Sequence, residues 1–123
     1  MARILLVEDN EMNRDMLSRR LIRNGHEVTM AVDGEEAVAR VRSDLPQLVL
    51  MDIGLPGIDG CEATRRIRTA EQAARVPIIA LTAHAMSGDR ERALDAGCDD
   101  FDTKPVDIQR LLAKIDALLS QRG

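Results

Sequence analysis

The sequence predicts an α/β protein in which one parallel sheet has helices on both faces. Four short runs are almost entirely apolar: Ile4–Val7, Val28–Val32, Leu48–Met51 and Ile78–Leu81. Runs that are apolar at successive rather than alternate positions are typical of strands covered on both faces, as in parallel sheets. Helical patterns separate these runs. Alternation of strand and helix predicts right-handed crossovers that place helices on both sides of the sheet.

The first strand is followed by a helix that Asp9 or Asn10 can cap and that Gly25 can end. We expect the apolar residues of this helix to share one buried face: Met12, Met16, Leu17, Leu21 and Ile22. The second strand leads into a helix that Asp33 can cap. A third helix, with a thin apolar stripe, follows Asp59.

The last third of the chain repeats the alternation. A fourth helix is predicted over about Gly88–Ala96, ending at Gly97, and a weaker fifth strand over Asp100–Thr103. Asp107 can cap the final helix. Its apolar residues recur at helical spacing: Ile108, Leu111, Leu112, Ile115, Leu118 and Leu119.

Five strands and five helices in this order fit a flavodoxin-like, doubly wound five-stranded parallel sheet with the order 2-1-3-4-5. The 123 residues correspond to one domain, which we expect to span 1–123 with no output domain. Because the first strand starts at once and the last helix reaches the end, we expect a stand-alone protein. We also expect it to be a monomer.

Composition excludes several classes of function. There are 17 basic and 21 acidic residues and a single aromatic one, which argues against nucleic-acid binding. No apolar run is long enough for a membrane span, and no signal peptide is present. The two cysteines, Cys61 and Cys98, are too few for a disulfide framework and fit no zinc pattern. We therefore expect a cytoplasmic protein with reduced thiols.

Polar residues follow four of the strands. They are Glu8 and Asp9 after the first, Asp52 after the third, Thr82 after the fourth and Lys104 after the fifth. Carboxyl ends of parallel strands share one edge, so we expect these side chains to converge. Three clustered carboxylates repel one another, and Mg²⁺ would relieve the repulsion. A carboxylate nucleophile needs no general base, so the set predicts phosphoryl transfer. Each residue alone has an ordinary structural explanation, such as a helix cap for Asp9; the joint placement carries the prediction.

Four stretches resemble the response-regulator receiver domains, the CheY-like family of two-component signalling. They are Ile4–Asn10, Leu50–Gly60, Ile79–Ala83 and Ala96–Pro105, in family order and spacing. The details resemble single-domain cell-cycle regulators and the receivers of hybrid kinases. Glu8 replaces the more usual Asp, and Cys98 lies where Ala is usual.

The resemblance implies that Asp52 is the phosphoacceptor. It also implies that Mg²⁺ is bound by Glu8, Asp9, Asp52 and the carbonyl of Gly54. The implied phosphoryl donor is a histidine kinase or a histidine phosphotransfer protein. The protein would be a signalling phosphoacceptor rather than an enzyme, with slow hydrolysis of its own aspartyl phosphate.

The resemblance further identifies Thr82 as the switch hydroxyl, Lys104 as the family's lysine and Phe101 as the aromatic switch. Pro105 corresponds to a proline after a cis peptide bond. Phosphorylation would change the face formed by the fourth helix, fifth strand and fifth helix, which binds an unknown downstream protein. His84, two residues beyond Thr82, is a surface imidazole or a group that tunes hydrolysis.

Alternatives remain at this point. A haloacid-dehalogenase-type phosphatase also uses a strand-end Asp, but it needs a second Asp where this chain has Gly54. A flavodoxin would need aromatic residues against its flavin. The chain could also be a receiver cut from a hybrid kinase. Four arginines on the first helix, read as a solvated face, could instead form a kinase-docking surface: Arg14, Arg19, Arg20 and Arg23.

Overall fold

Five parallel strands form one sheet in the order β2-β1-β3-β4-β5 in the computed structural model, which describes residues 2–83 and 88–121. The strands are β1 (Arg3–Val7), β2 (Glu27–Ala31), β3 (Leu48–Asp52), β4 (Ile78–Thr82) and β5 (Asp100–Thr103). The helices are α1 (Glu11–Arg23), α2 (Gly34–Ser43), α3 (Gly60–Thr69), α4 (Asp89–Ala96) and α5 (Ile108–Ser120). A 3₁₀ turn covers Glu71–Ala73. The predicted doubly wound fold and strand order are confirmed.

The core lies in two layers, one on each face of the sheet. Leu5 and Val7 of β1 point into the layer that α2, α3 and α4 cover. Ile4 and Leu6 point into the other layer, which α1 and α5 cover. All five residues of β3 are buried, as are all five of β4. Burial on both faces explains why each of these strands is apolar up to its last residue.

The second strand departs from the prediction. It covers Glu27–Ala31 rather than Val28–Val32, and only Ala31 is fully buried. Met30 is 42% exposed. Because β2 is an edge strand with β1 as its single neighbour, helices do not cover it on both faces. The expectation of burial on both faces was wrong for this strand.

The predicted apolar face of α1 is also narrower than expected. Leu17 and Leu21 are buried, whereas Met12 is 70% exposed, Met16 is 46% exposed and Ile22 is exposed. Each residue step turns an α-helix by about 100°, so residues one position away from the Leu17–Leu21 line point sideways. Apolar side chains therefore remain on the surface of α1 near its N-terminus.

Side-chain caps start four of the helices. Asn10 rather than Asp9 caps α1, with its Oδ1 atom accepting the Asn13 backbone N–H at 2.9 Å. The predicted caps of α2 and α5, Asp33 and Asp107, are confirmed, and Asp59 caps α3 in the same way. Because Asn10 supplies the cap, the exposed Asp9 carboxylate is not needed for it. Within residues 2–83 and 88–121, no helix combines the length and apolarity needed to cross a bilayer.

Candidate functional site

Parallel pairing of β1 with β3 brings three carboxylates together at one edge of the sheet. Val7 lies beside Met51 in the register, so Glu8 and Asp52 lie close together where the paired strands end. Glu8, Asp9 and Asp52 each offer a carboxylate oxygen, and these oxygens lie within 4.8 Å of one another. Glu8 and Asp52 are buried, and Asp9 is exposed. The convergence expected from the strand ends is present.

Lys104 reaches this cluster from the far side of β4. Thr103 is the register partner of Thr82, and the Lys104 backbone N–H donates to the Thr82 carbonyl at 2.8 Å. The Lys104 ammonium then extends to Glu8 Oε1 at 2.7 Å and to Asp52 Oδ2 at 2.9 Å. One cation therefore bridges two buried carboxylates in this structure. The Lys104–Pro105 peptide bond is cis, as the resemblance implied.

The charges of this bridge shift the ionisation of its members. Burial raises the pKa of Glu8 above its ordinary value, and the neighbouring Asp52 adds to that rise, although the Lys104 hydrogen bond works to lower it. Burial works to lower the pKa of Lys104. Its hydrogen bonds to Glu8 and Asp52 outweigh burial, so the pKa of Lys104 is raised. The lysine stays charged because it faces two carboxylates, whereas Glu8 faces one cation and one anion.

Backbone donors hold the remaining carboxylate oxygens. The Gly54 N–H donates to Asp52 Oδ1 at 2.9 Å, and the Asn10 N–H donates to Glu8 Oε2 at 3.1 Å. Each oxygen of Asp52 thus accepts one described hydrogen bond. The predicted metal-ligand role of the Gly54 carbonyl remains a prediction.

The three carboxylates suit a hard divalent cation. Mg²⁺ binds oxygen ligands at about 2.1 Å, so two ligands on one ion lie at most about 4.2 Å apart. One oxygen each of Glu8, Asp9 and Asp52 lies within 4.8 Å of the others, which is close to this limit. The residues therefore form a donor set that fits Mg²⁺.

Thr82 opens into the same cleft as Asp52. The cleft is lined by Asp52, Ile53, Gly54, Thr82, Ala83, Asp89, Arg92 and Lys104. Thr82 is 2% exposed, and its hydroxyl donates to Asp89 Oδ2 at 2.7 Å. Asp89, itself buried, pairs through its other oxygen with Arg92. This ion pair raises the pKa of the Arg92 guanidinium.

Sequence reasoning missed both Asp89 and Arg92. Neither residue follows a strand, so the pattern of strand ends does not identify them. The one available signal was their spacing of three residues in the first turn of α4, which allows a pair on one helix face.

Two cations lie close to the ring of Phe101 on β5. The Arg90 guanidinium is 5.3 Å from the ring centroid and the Lys114 ammonium is 5.2 Å from it. Lys114 also donates to the Phe101 carbonyl oxygen. The ring is partly buried and packs against the core layer that contains Ala80. Cation–π contacts thus connect Phe101 with α4 and α5.

His84, named above as a surface imidazole or a group that tunes hydrolysis, lies outside the described residues.

The arginines of α1 have different surroundings. Arg14 donates to the Glu8 carbonyl oxygen at 2.8 Å, and Arg19 pairs with Asp15 on the helix surface. A groove beside α1 includes Glu8 and Lys104 of the site. It is lined by Glu8, Asn13, Met16, Leu17, Arg20, Leu81, Lys104, Pro105 and Val106.

A 2-1-3-4-5 sheet with clustered carboxylates and a lysine at its carboxyl edge defines the CheY-like class of signalling domains. The chain belongs to the response regulator receiver domain family, whose family model matches residues 4–116. This membership removes the flavodoxin and phosphatase alternatives.

Similar proteins occur in two contexts. The polar-differentiation response regulator DivK of Brucella ovis is 36% identical over 116 residues, which cover 94% of each chain. The hybrid signal transduction histidine kinase I of Dictyostelium discoideum is 40% identical over 121 residues, but the chain spans 7% of that kinase's length. Receivers like this one thus occur both as small regulators and as parts of longer kinases.

A solved structure gives the same fold. The receiver domain of the sensor histidine kinase PA1611 from Pseudomonas aeruginosa is 42% identical and matches with a TM-score of 0.92, covering 97% of this chain and 98% of that one. That structure holds a magnesium ion coordinated in its active-site cleft.

Proposed function

We propose that this chain accepts a phosphoryl group on Asp52 from the phosphohistidine of a histidine kinase or a histidine phosphotransfer protein. The observation that carries the proposal is the placement of Asp52. Its carboxylate lies where the central strand ends, in a cleft shared with Thr82, and within 2.9 Å of the Lys104 ammonium. Among the described carboxylates, Asp52 has this combination of partners, which suits a nucleophile attacking phosphorus.

In the proposed transfer, one oxygen of Asp52 attacks the phosphorus atom. The P–N bond to the donor imidazole breaks, and its electron pair stays on the imidazole nitrogen. The product is an aspartyl phosphate, and no general base is required because a carboxylate nucleophile has no proton to lose. Glu8, Asp9, Asp52 and the Gly54 carbonyl would hold Mg²⁺, which neutralises charge on the phosphoryl oxygens when bound. Lys104 and Thr82 would supply a positive charge and a hydrogen bond to those oxygens.

Surface features next to the cleft favour a protein donor. A protein that brings a phosphohistidine to Asp52 must dock beside the carboxylates. Met12 and Met16 on α1 are both exposed, and Met16 lines the groove that also contains Glu8 and Lys104. Exposed methionines adapt to many partner shapes. This part of α1, rather than its whole arginine face, is the proposed docking surface.

After transfer, the chain would act as a switch rather than as an enzyme. Thr82 would turn to the phosphoryl group, Phe101 would move inward behind it, and the surface of α4, β5 and α5 would change its affinity for a downstream protein. The aspartyl phosphate would then hydrolyse slowly. Free, buried cysteines agree with a reducing compartment, and we place the protein in the cytoplasm as a monomer.

Incubation with acetyl phosphate and Mg²⁺ tests the acceptor. Intact-mass analysis should show one added phosphoryl group on the wild type and on the surface control Asp15→Asn, and none on Asp52→Asn. Phosphorylation of Asp52→Asn at the wild-type level would contradict the assignment. Chelation of Mg²⁺ should abolish the reaction.

A second arm tests the docking surface. Met16→Asp should slow transfer from a phosphohistidine protein by about tenfold or more, because it places a charge in an apolar contact. The same variant should react with acetyl phosphate at the wild-type rate, since the small donor needs no docking. Transfer from the protein donor at the same rate as in the wild type would show that Met16 is not part of the docking surface.

A further inference from the structure

We propose that Asp89 is a positioning residue that holds the Thr82 hydroxyl away from the phosphoryl group and thereby keeps the unphosphorylated receiver in its resting state. The inference rests on the proposed function, because it assumes that Asp52 receives the phosphoryl group and that Thr82 responds. It starts from one contact, in which Thr82 Oγ1 donates to Asp89 Oδ2 at 2.7 Å.

A hydroxyl has one proton to donate. In the resting structure that proton points to Asp89, although Thr82 lines the same cleft as Asp52. A phosphoryl oxygen on Asp52 therefore competes with the Asp89 carboxylate for one donor. Thr82 is 2% exposed and Asp89 is 6% exposed, so water cannot readily replace either partner.

The hydrogen bond from Thr82 to Asp89 is costly to break. Hydrogen bonds to an ionised acceptor are roughly twice as strong as neutral ones. The phosphoryl group, which carries more negative charge than one carboxylate, can outcompete Asp89. Without it, Asp89 keeps the hydroxyl and disfavours the switched conformation. Asp89 thus sets how much of the protein switches without phosphorylation.

Arg92 lowers the cost of releasing the Thr82 hydroxyl from Asp89. Asp89 pairs with Arg92 through Oδ1 while Oδ2 accepts from Thr82. When Thr82 leaves, Asp89 retains a positive partner, so no buried charge is left unpaired. Arg92 also lines the cleft, where its charge favours an anion. One pair of side chains on α4 therefore supports both states of Thr82.

The test measures binding of beryllofluoride, an inorganic phosphoryl analogue, with saturating Mg²⁺ by NMR or calorimetry. Asp89→Asn keeps the shape but loses the charge, and we expect its apparent Kd to fall about fivefold. Asp89→Ala should bind more tightly still. The matched control on the same helix is Asp95→Asn, an exposed residue, which should bind like the wild type.

Two further measurements separate positioning from a structural effect. In a Thr82→Val background, which removes the donor, adding Asp89→Asn should change the Kd by less than twofold. Without beryllofluoride, the Thr82 amide resonance of Asp89→Asn should move toward its position in beryllofluoride-bound wild type. A purely structural role of Asp89 would alter stability but would not produce either result.

The beryllofluoride measurements distinguish failure of the role of Asp89 from failure of the proposed phosphoacceptor function. An unchanged Kd in Asp89→Asn and Asp89→Ala, while the wild type binds and Asp52→Asn does not, overturns the role of Asp89 and leaves the phosphoacceptor intact. An equal gain with and without Thr82 also overturns it. Failure of the wild type to bind beryllofluoride overturns the proposed function, and the role of Asp89 with it.

Discussion

The first residue of α3 presses directly on the backbone of Asp52. A Cβ atom added to Gly60 would lie 2.4 Å from the Asp52 carbonyl oxygen and 2.6 Å from the Ile53 Cα atom. Nothing larger than glycine fits there unless the helix or the strand moves. The helix start therefore touches the segment that carries the proposed phosphoacceptor.

Gly60→Ala should consequently disturb both stability and the site. Overpacking against backbone costs roughly 1–3 kcal/mol, so we expect a lower free energy of unfolding by that amount and weaker Mg²⁺ binding. Gly54→Ala is the control in the same loop, because its Cβ would meet only Asp52 Oδ1, at 3.5 Å. Urea unfolding and calorimetric Mg²⁺ titration check both variants. Equal stability of the two would mean that α3 can shift without cost.

Mg²⁺ binding should depend more on Asp9 than on Glu8. Both Glu8 oxygens already accept hydrogen bonds, one from Lys104 and one from the Asn10 N–H. Asp9 is exposed, so its carboxylate can turn to the ion. We expect Asp9→Asn to raise the Kd for Mg²⁺ about tenfold or more, and Glu8→Gln to raise it less. Calorimetry is the appropriate method, because the chain has no Trp or Tyr to report binding. The reverse order would assign the direct ligand to Glu8.

Glu8→Gln should also stabilise the metal-free protein at neutral pH. The pKa of Glu8 is raised in the fold, chiefly by burial, so its ionised form is disfavoured there relative to the unfolded chain. The stability that this residue contributes is full below its unfolded pKa and is lost as the pH rises through its folded pKa. Glutamine mimics the protonated form. The Tm gain over wild type, measured in chelator, should therefore be larger at pH 7 than near pH 4. A gain that is independent of pH would contradict this explanation.

We expect Arg110 to stabilise the fold mainly by pairing with the buried carboxylate of Asp102. Asp102 is buried on β5, and its Oδ1 atom accepts from Arg110 Nε at 2.8 Å. Its Oδ2 atom has no hydrogen-bond partner among the described residues. A half-satisfied buried carboxylate is costly, and an apolar replacement often stabilises. We expect Asp102→Leu to keep or raise the Tm and Arg110→Ala to lower it. In the double variant the arginine change should have little further effect; a full additive loss would show that Arg110 stabilises through other contacts.

The Cys98 thiol should be unreactive in the folded protein. Burial raises its pKa to about 11, and its sulfur lies 3.6 Å from the Thr64 hydroxyl. The thiolate is the reactive form, so at pH 8 very little of it is present. Alkylation by iodoacetamide, followed by peptide mass analysis, should label Cys98 slowly in buffer and rapidly in urea. Rapid labelling under native conditions would indicate local opening around α3. Cys61 is also buried and its pKa is raised, so it should follow the same pattern.

Several features could be predicted from sequence because they depend on local pattern. The continuous apolar runs of β3 and β4 predict strands buried on both faces, without knowledge of which elements cover them. Polar residues that directly follow these apolar runs, including Asp52 and Thr82, must lie at one sheet edge once the strands are parallel. The caps Asp33 and Asp107 act within their own helices. In each case the relevant partners are at most a few residues away, or are set by strand direction alone.

Other features depended on which elements lie side by side, and only the tertiary structure decided them. The exposure of Met30 follows from the edge position of β2, and that of Met16 from the direction in which α1 faces the sheet. The bridge from Lys104 to Glu8 joins residues 96 positions apart. The contact between Thr82 and Asp89 depends on how α4 packs over the end of β4. Sequence alone thus determined the sheet and the residues gathered at its edge. The distances and competing hydrogen bonds among those residues were decided by packing, because side-chain partners across different elements are set by geometry that no local pattern encodes.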